Sequence, residues 1–106
     1  IAFNEPGTSI RSRTHNAPLS KSTINNLVQI FDEKINVPTH VVTMGLRTIL
    51  AAKKIILITA GAKTAAAVSE LMKSRYQRNW PVTALIYHPD VTIYVDLESS
   101  SLLENK

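Results

Sequence analysis

The stretch IILITAGAKTAAA, residues 55–67, decides the fold. Its first part is an unbroken apolar run, of the kind found in strands that are covered on both faces. Gly61 then allows a tight turn, and the alanine-rich segment that follows predicts a helix. A buried strand followed by a turn and a helix is the repeating unit of α/β proteins, so the stretch predicts an α/β fold.

Lys63 lies in the first turn of the predicted helix, where a cation opposes the helix dipole. Free N–H groups at a helix N-terminus, together with a lysine, suit a phosphate or another anion. Two other interpretations stay open: a lysine that bends into solvent, and small residues that serve only helix–sheet packing. The spacing is not that of a Walker A motif, which has a longer glycine-rich loop before its lysine.

The rest of the chain continues the alternation of strands and helices. Ser20 is suited to cap the first helix, after a long polar loop over 7–19. Predicted helices span about 20–35, 46–54 and 62–75, and predicted strands span 40–44, 54–60, 82–88 and 91–95. Because the turn at Pro89–Asp90 is too short for a crossover helix, we expect the last two strands to pair antiparallel. The expected fold is a three-layer, mostly parallel, Rossmann-like α/β sheet with an antiparallel edge pair.

The composition is that of a globular chain, either one domain or part of one. The 106 residues include 44% hydrophobic and 19% charged residues and no cysteine, which excludes disulfides and thiolate metal sites. No apolar run approaches the roughly 20 residues that cross a bilayer, and no secretory signal is present, so we expect a cytoplasmic protein without a membrane partner. The net charge is +4, but the basic residues are scattered and lack an aromatic stacking platform, which argues against nucleic acid as a partner.

The opening segment IAFNEPG, residues 1–7, predicts the last residues of a buried strand at 1–3, with a carboxylate just beyond the strand end. Ligands of open α/β sheets gather outside the carboxyl ends of the strands, so Glu5 is a candidate active-site residue. The alternative is a loop carboxylate that is hydrogen-bonded to nearby backbone. His15 and His88 are weaker candidates for acid–base chemistry, and His40 is expected to be structural. The three histidines are not spaced as metal ligands.

Several segments together resemble the glucosamine-6-phosphate deaminases, also called glucosamine-6-phosphate isomerases. They are IAFNEPGTS, SRTH, VPTHVVTMGLRTIL, ILITAGAKTAAAV and WPVTALIYHP, in this order over about 1–96. IAFNEPG, the Gly-x-Lys after an apolar strand, and the late Trp and His-Pro are specific in combination. The nearest relative in fold, 6-phosphogluconolactonase, matches less well because IAFNEPG followed by Ser-Arg-Thr is deaminase-like.

The resemblance implies an enzyme that opens the ring of glucosamine 6-phosphate and isomerises the aldose to a ketose through an enolamine. Release of ammonia then gives fructose 6-phosphate, and no metal or organic cofactor takes part. The resemblance implies that Glu5 is a catalytic carboxylate that partners a histidine in ring opening, and that Lys63 binds the substrate phosphate. We therefore expect Glu5 and Lys63 to open into one cleft at the carboxyl ends of the strands.

The resemblance also bears on domain organisation. Residues 1–106 would be the C-terminal portion of a single sugar-phosphate deaminase domain, beginning directly after the catalytic histidine. The N-terminal segment would hold that histidine and the proton-transferring aspartate, so it is an expected partner of this chain. We therefore expect the chain alone to be inactive. The oligomeric state is left open, a homo-oligomer included.

Two parts of the chain depart from the family pattern. Gln29 stands where an arginine usually helps to hold the phosphate. His15 and Ala17 stand where the allosterically activated members carry basic residues, so we expect no site for an amino-sugar phosphate activator. An altered specificity stays open. So do two other functions, a non-catalytic or diverged sugar-phosphate-binding module and a 6-phosphogluconolactonase-like hydrolase.

Overall fold

The computed structural model describes residues 1–28, 30 and 37–103. Its strands are β1 His15–Pro18, β2 His40–Thr43, β3 Ile55–Ile58 and β4 Val91–Tyr94. Its α-helices are α1 Lys21–Val28, α2 Leu46–Leu50 and α3 Ala65–Met72, and 3₁₀ helices span Ala62–Thr64 and Pro81–Tyr87. The predicted mixture of strands and helices is confirmed. None of the described helices is both long and apolar enough to cross a bilayer.

The described strands form two separate pairs. β1 and β2 pair antiparallel, with His15 opposite Thr43, and β3 and β4 pair parallel, with Ile55 opposite Val91. A parallel pair needs a crossover connection. The segment 59–90 supplies it, because it contains α3 and the second 3₁₀ helix.

The core lies on one face of the β3–β4 pair. Buried Ile55, Leu71 and Leu85 form its centre, and the second 3₁₀ helix packs against both α2 and α3. The strand residues that point to this side and pack against the centre are Leu57, Val91 and Ile93. Residues 55–67 therefore supply β3 and the first residues of α3, two elements of the core.

The other face of the β3–β4 pair is uncovered in the described structure. Its apolar members Ile56, Ile58 and Tyr94 are 57%, 74% and 57% exposed, and we call these three residues the open face. Strands of a parallel sheet are normally covered on both sides. The described residues thus cover the β3–β4 pair with a helical layer on one face, and they provide no layer on the other.

The prediction of an antiparallel edge pair is wrong. Residues 82–88 were expected to be a strand, but Pro81–Tyr87 form a 3₁₀ helix and β4 pairs with β3 instead. Pro81 at the first helical position favours helical entry. Thr83, which is fully buried, accepts the Gln77 N–H at 2.8 Å and donates to the Trp80 carbonyl at 2.6 Å. These tertiary bonds outweigh the strand propensity of VTALIY.

Several predicted elements also change. Residues 1–3, expected to end a strand, lie in a turn and belong to no described strand. The polar loop over 7–19 contains β1, and the helix predicted over 20–35 is described as α1 to Val28. The capping prediction is confirmed, because Ser20 Oγ accepts the Thr23 N–H at 3.1 Å. The helix expected over 46–54 ends at Leu50, and the one over 62–75 is a 3₁₀ turn followed by α3. Gln29 lies outside the described residues.

Gly45 is the point at which the loop before β1 meets α2. Its φ of −75° and ψ of 169° are open to any residue, so conformation does not require glycine there. A Cβ at this position would overlap the carbonyl oxygens of Ser12 and Arg13. The contact is reinforced because Ser12 accepts the N–H of Leu46 through Oγ at 3.1 Å and that of Arg47 through its carbonyl at 2.9 Å.

We predict that Gly45→Ala lowers the free energy of unfolding by about 1–3 kcal/mol or more, because backbone atoms must move to admit the methyl group. Lys53→Ala is the control, since Lys53 is exposed and surface substitutions usually change the free energy of unfolding by less than about 0.5 kcal/mol. Urea unfolding of both variants measures the difference. Equal losses of stability would contradict the close approach at Gly45.

Candidate functional site

Glu5 lines a cleft of about 360 Å³. Its wall is made by the loop that follows Glu5 and by β1, including Thr8, Ser12, His15 and Asn16. The loop closes on itself, because Thr8 donates to the Glu5 carbonyl through N–H at 3.1 Å and through Oγ1 at 2.6 Å. The cleft therefore combines a carboxylate, an imidazole and several hydroxyl groups.

The Glu5 side chain is held from α1. Its Oε1 accepts the Thr23 hydroxyl at 2.8 Å, and the Ser20 hydroxyl donates to Thr23 Oγ1 at 3.0 Å. The N-cap of α1 thus orients the carboxylate through one intermediate hydroxyl. The Glu5 carboxylate is half-buried, and its Oε2 accepts no hydrogen bond from a described residue.

Asn4 anchors the segment that carries Glu5. It is 7% exposed, and its Nδ2 donates to the Met44 carbonyl at 2.8 Å and to the Ile1 carbonyl at 3.2 Å. Its Oδ1 is buried and has no partner among the described residues. Asn4 thus fixes the backbone beside Glu5 to the end of β2.

A second anchor fixes the rim of the cleft to the segment before Trp80. The Gly7 N–H donates to the Arg78 carbonyl at 3.0 Å, and Arg78 Nε donates to the Gly7 carbonyl at 2.8 Å. The positive φ of Gly7, 91°, suits glycine at this turn. The Glu5 loop is therefore bonded to both halves of the described chain.

His15 faces the same cleft as Glu5. Its Nδ1 lies 2.6 Å from the Arg13 carbonyl, which only accepts, so Nδ1 carries the hydrogen. In the neutral ring Nε2 is then the basic nitrogen. The structure therefore brings one of the predicted acid–base histidines into the cleft of the predicted catalytic carboxylate.

The other two histidines have structural contacts. His88 accepts the Asp90 N–H through Nδ1 at 3.0 Å, and its Nε2 contacts the Ala52 carbonyl at 2.5 Å. His40 Nδ1 lies 3.0 Å from the Thr39 hydroxyl. Among the described residues, no group of three or more metal-ligating side chains is close enough to hold a metal ion.

Lys63 lies in the 3₁₀ turn Ala62–Thr64, directly after β3. Its side chain is exposed, and it forms no ion pair with a described residue. It does not line the Glu5 cleft. The expectation that Glu5 and Lys63 open into one cleft stays a prediction.

Asp96 occupies the neighbourhood of the Lys63 turn, and sequence reasoning missed it. Its Oδ2 accepts the Gly61 N–H at 3.1 Å, and its Oδ1 accepts the Ser99 N–H at 2.7 Å. The hydrogen bond from the Ser99 backbone, followed by those from the Ser99 side chain and the Gly61 backbone, lowers the pKa of Asp96 from its usual value. The spacing Asp-x-x-Ser is a recognisable local turn signal, but its contact with Gly61 spans 35 residues of chain.

The lowered pKa of Asp96 makes its contribution to stability depend on pH. The contribution is complete above the pKa of an unfolded Asp, about 3.9, and is lost as the pH falls through the lower folded value. We predict that Asp96→Ala destabilises the chain at pH 7 and that this difference shrinks below about pH 4. Urea unfolding at several pH values tests the prediction, and a difference that does not vary with pH would contradict it.

The chain is 45% identical over 102 residues to the glucosamine-6-phosphate deaminase of Bacillus cytotoxicus. The matched residues are 96% of this chain and 39% of that protein. The chain is 43% identical, with the same coverage, to the glucosamine-6-phosphate deaminase of Bacillus cereus strain G9842. No protein-family model matches the chain.

A solved structure agrees with the sequence similarity. A monomeric glucosamine-6-phosphate deaminase, described as a missing link of the NagB superfamily, superposes with a TM-score of 0.90 at 41% identity. The match covers 94% of this chain and 42% of that one. The resemblance inferred from the quoted segments is confirmed. The chain is similar in sequence and in structure to glucosamine-6-phosphate deaminases over about two fifths of their length.

Proposed function

We propose that this chain is the C-terminal portion of a deaminase domain that converts glucosamine 6-phosphate and water to fructose 6-phosphate and ammonia. The proposal rests on the 45% identity over 102 residues with a protein of that name. We extend to this chain the substrate that the name gives for the relative. A cytoplasmic location is part of the proposal.

The contacts of Glu5 support a role in acid–base chemistry. Ring opening requires removal of a proton from the sugar hydroxyl at C1 and delivery of a proton to the ring oxygen. A carboxylate that orients an imidazole and stabilises its charged form suits such transfers. With Oε1 held by Thr23 at 2.8 Å, Oε2 of Glu5 is left for a histidine partner.

The environment of Lys63 supports phosphate binding. Its exposed ammonium has no carboxylate partner in the described structure, so binding an anion breaks no existing ion pair. The Gly61 turn before it carries no bulky side chain that would block approach. A phosphate dianion would gain charge-assisted hydrogen bonds from the lysine.

The open face supports the incomplete character of the chain. Ile56, Ile58 and Tyr94 would be covered if further polypeptide of the same domain formed the third layer of a mostly parallel sheet. The solved relative is a monomer and is more than twice as long as its matched part. In that relative, any cover over the equivalent face must come from its own chain. We propose the same arrangement here.

A chimeric enzyme tests the function. The matched segment of the Bacillus cytotoxicus deaminase is replaced by this chain, and ammonia release from glucosamine 6-phosphate is measured. We expect activity in the chimera and none in the 106-residue chain alone. An inactive, correctly folded chimera would favour the non-catalytic binding module, and ammonia release by the chain alone would refute the proposed division of the site.

Two substitutions in the chimera separate the proposed roles. Glu5→Gln should lower kcat by about 10²- to 10⁴-fold with little change in phosphate affinity, because it removes an acid–base group. Lys63→Ala should raise KM about ten- to a hundredfold, because it removes a charge-assisted hydrogen bond.

Glu98→Gln and Lys73→Ala are the matched controls for these substitutions. Glu98 is an exposed carboxylate, and Lys73 is an exposed lysine paired with Glu70 at 3.0 Å. Both controls should behave like the unsubstituted chimera. A Lys63→Ala chimera with unchanged KM would refute the phosphate assignment.

The open face has its own test. We predict that Ile58→Lys weakens the association of this chain with the remaining segment of the Bacillus cytotoxicus enzyme, because a charge would enter the covered face. Leu102→Lys is the control, since Leu102 is 60% exposed and lies outside the open face. Association is measured by co-purification of the two separately tagged segments, and equal effects of both substitutions would contradict the proposed cover.

A further inference from the structure

The ends of β3 and β4 are connected by a dense set of hydrogen bonds. The parallel pairing continues one residue past the end of β3, because the Thr59 N–H donates to the Tyr94 carbonyl at 2.9 Å. Beyond it, Ser99 is fully buried, and its Oγ accepts the Thr59 hydroxyl at 3.1 Å and the Asp96 N–H at 3.0 Å. The turn 96–99 is therefore fixed to the sheet through a buried hydroxyl.

The turn that carries Lys63 is stabilised by few hydrogen bonds between its own residues. Gly61 lies at a φ of 86°, and glycine loses more conformational freedom on ordering than any other residue. Within the turn, Thr64 bonds the Gly61 carbonyl through Oγ1 at 2.9 Å and through N–H at 3.2 Å. Among the described residues, the Gly61 N–H has its hydrogen-bond acceptor outside the turn, in the carboxylate of Asp96 at 3.1 and 3.3 Å.

Asp96 thus connects the Gly61 turn to the Ser99 turn. One carboxylate accepts the N–H of Gly61 and the N–H of buried Ser99 at the same time. Asp96 and Lys63 form no ion pair, so a phosphate that binds the Lys63 ammonium does not have to displace the Asp96 carboxylate.

We propose that Asp96 is a positioning residue for Lys63: by binding the Gly61 N–H to the Ser99 turn, it fixes the backbone from which Lys63 reaches a phosphate. This inference rests on the proposed phosphate-binding role of Lys63. Asp96 itself does not contact the substrate. Without the Asp96 carboxylate, Lys63 keeps its charge, but the backbone that carries it adopts several conformations.

The test uses the ¹⁵N-labelled 106-residue chain and inorganic phosphate as the probe. In Asp96→Ala we expect hydrogen exchange of the Gly61 amide to rise about tenfold or more, since its hydrogen bond is lost. The dissociation constant for phosphate, followed at the Lys63 amide, should rise about three- to tenfold, comparable to the loss of a helix-capping side chain.

Two controls separate positioning from a general loss of charge or stability. Glu98→Ala removes the same charge two residues away, from a side chain without a hydrogen bond to a described residue, and should change neither measurement. Thr83→Val removes a buried hydroxyl from a different turn, so it should lower stability without changing phosphate affinity. Phosphate affinity that follows overall stability in all three variants would overturn the proposal.

Other outcomes are equally decisive. Unchanged affinity in Lys63→Ala, or no response of the Lys63 amide to phosphate, refutes the proposed phosphate site and this inference with it. Loss of affinity in Lys63→Ala but not in Asp96→Ala refutes only the positioning role. If Asp96→Ala folds poorly, a pH titration of the unsubstituted chain replaces the variant. The chemical shift of the Gly61 amide should then change with pH in parallel with that of the Asp96 carboxyl carbon. A Gly61 amide shift that does not follow the Asp96 titration would refute the contact.

Discussion

The contact between the Ser12 backbone and Gly45 is the constraint on which the candidate site depends. It brings a loop from the start of the chain against the first turn of α2, where Leu46 is 1% exposed. Because Ser12 also lines the Glu5 cleft, the cleft wall is part of the packed structure. Loops that carry functional residues work through such rigid supports. Part of the wall of the Glu5 cleft is thus fixed by Gly45, a residue that has no side chain.

The sequence was most informative where local chemistry and burial agree. Ile55–Ile58 reads as a strand and is one, Ser20 reads as an N-cap and accepts the Thr23 N–H, and Gly61 reads as a turn and has a positive φ. Each of these features depends on neighbours within a few residues. Periodicity and capping preferences report such local forces directly.

Features set by distant residues could not be predicted in the same way. The segment 82–88 has strand-forming residues, yet Thr83 bonds the backbone of Gln77 and Trp80 and the segment becomes a 3₁₀ helix. At the site, Glu5 and Lys63 could be chosen as candidates from their positions and from the resemblance. The hydrogen bonds that fix Glu5 and the Lys63 turn could not be predicted in this way. Thr23 reaches Glu5 across 18 residues and Asp96 reaches Gly61 across 35, and no spacing rule covers such contacts.

The parallel pairing of β3 with β4 has a consequence for how the chain folds. Pairing of the two strands closes a loop formed by residues 59–90. The conformational entropy lost in closing this loop opposes pairing until the strand contacts have formed. The helical turns of α3 and of Pro81–Tyr87 involve near neighbours and form on a faster timescale. We therefore expect the β3–β4 ladder, and with it the bonds from Asp96 and Ser99, to assemble late. The turn bearing Lys63 would then be among the last parts of the chain to reach its final geometry during refolding.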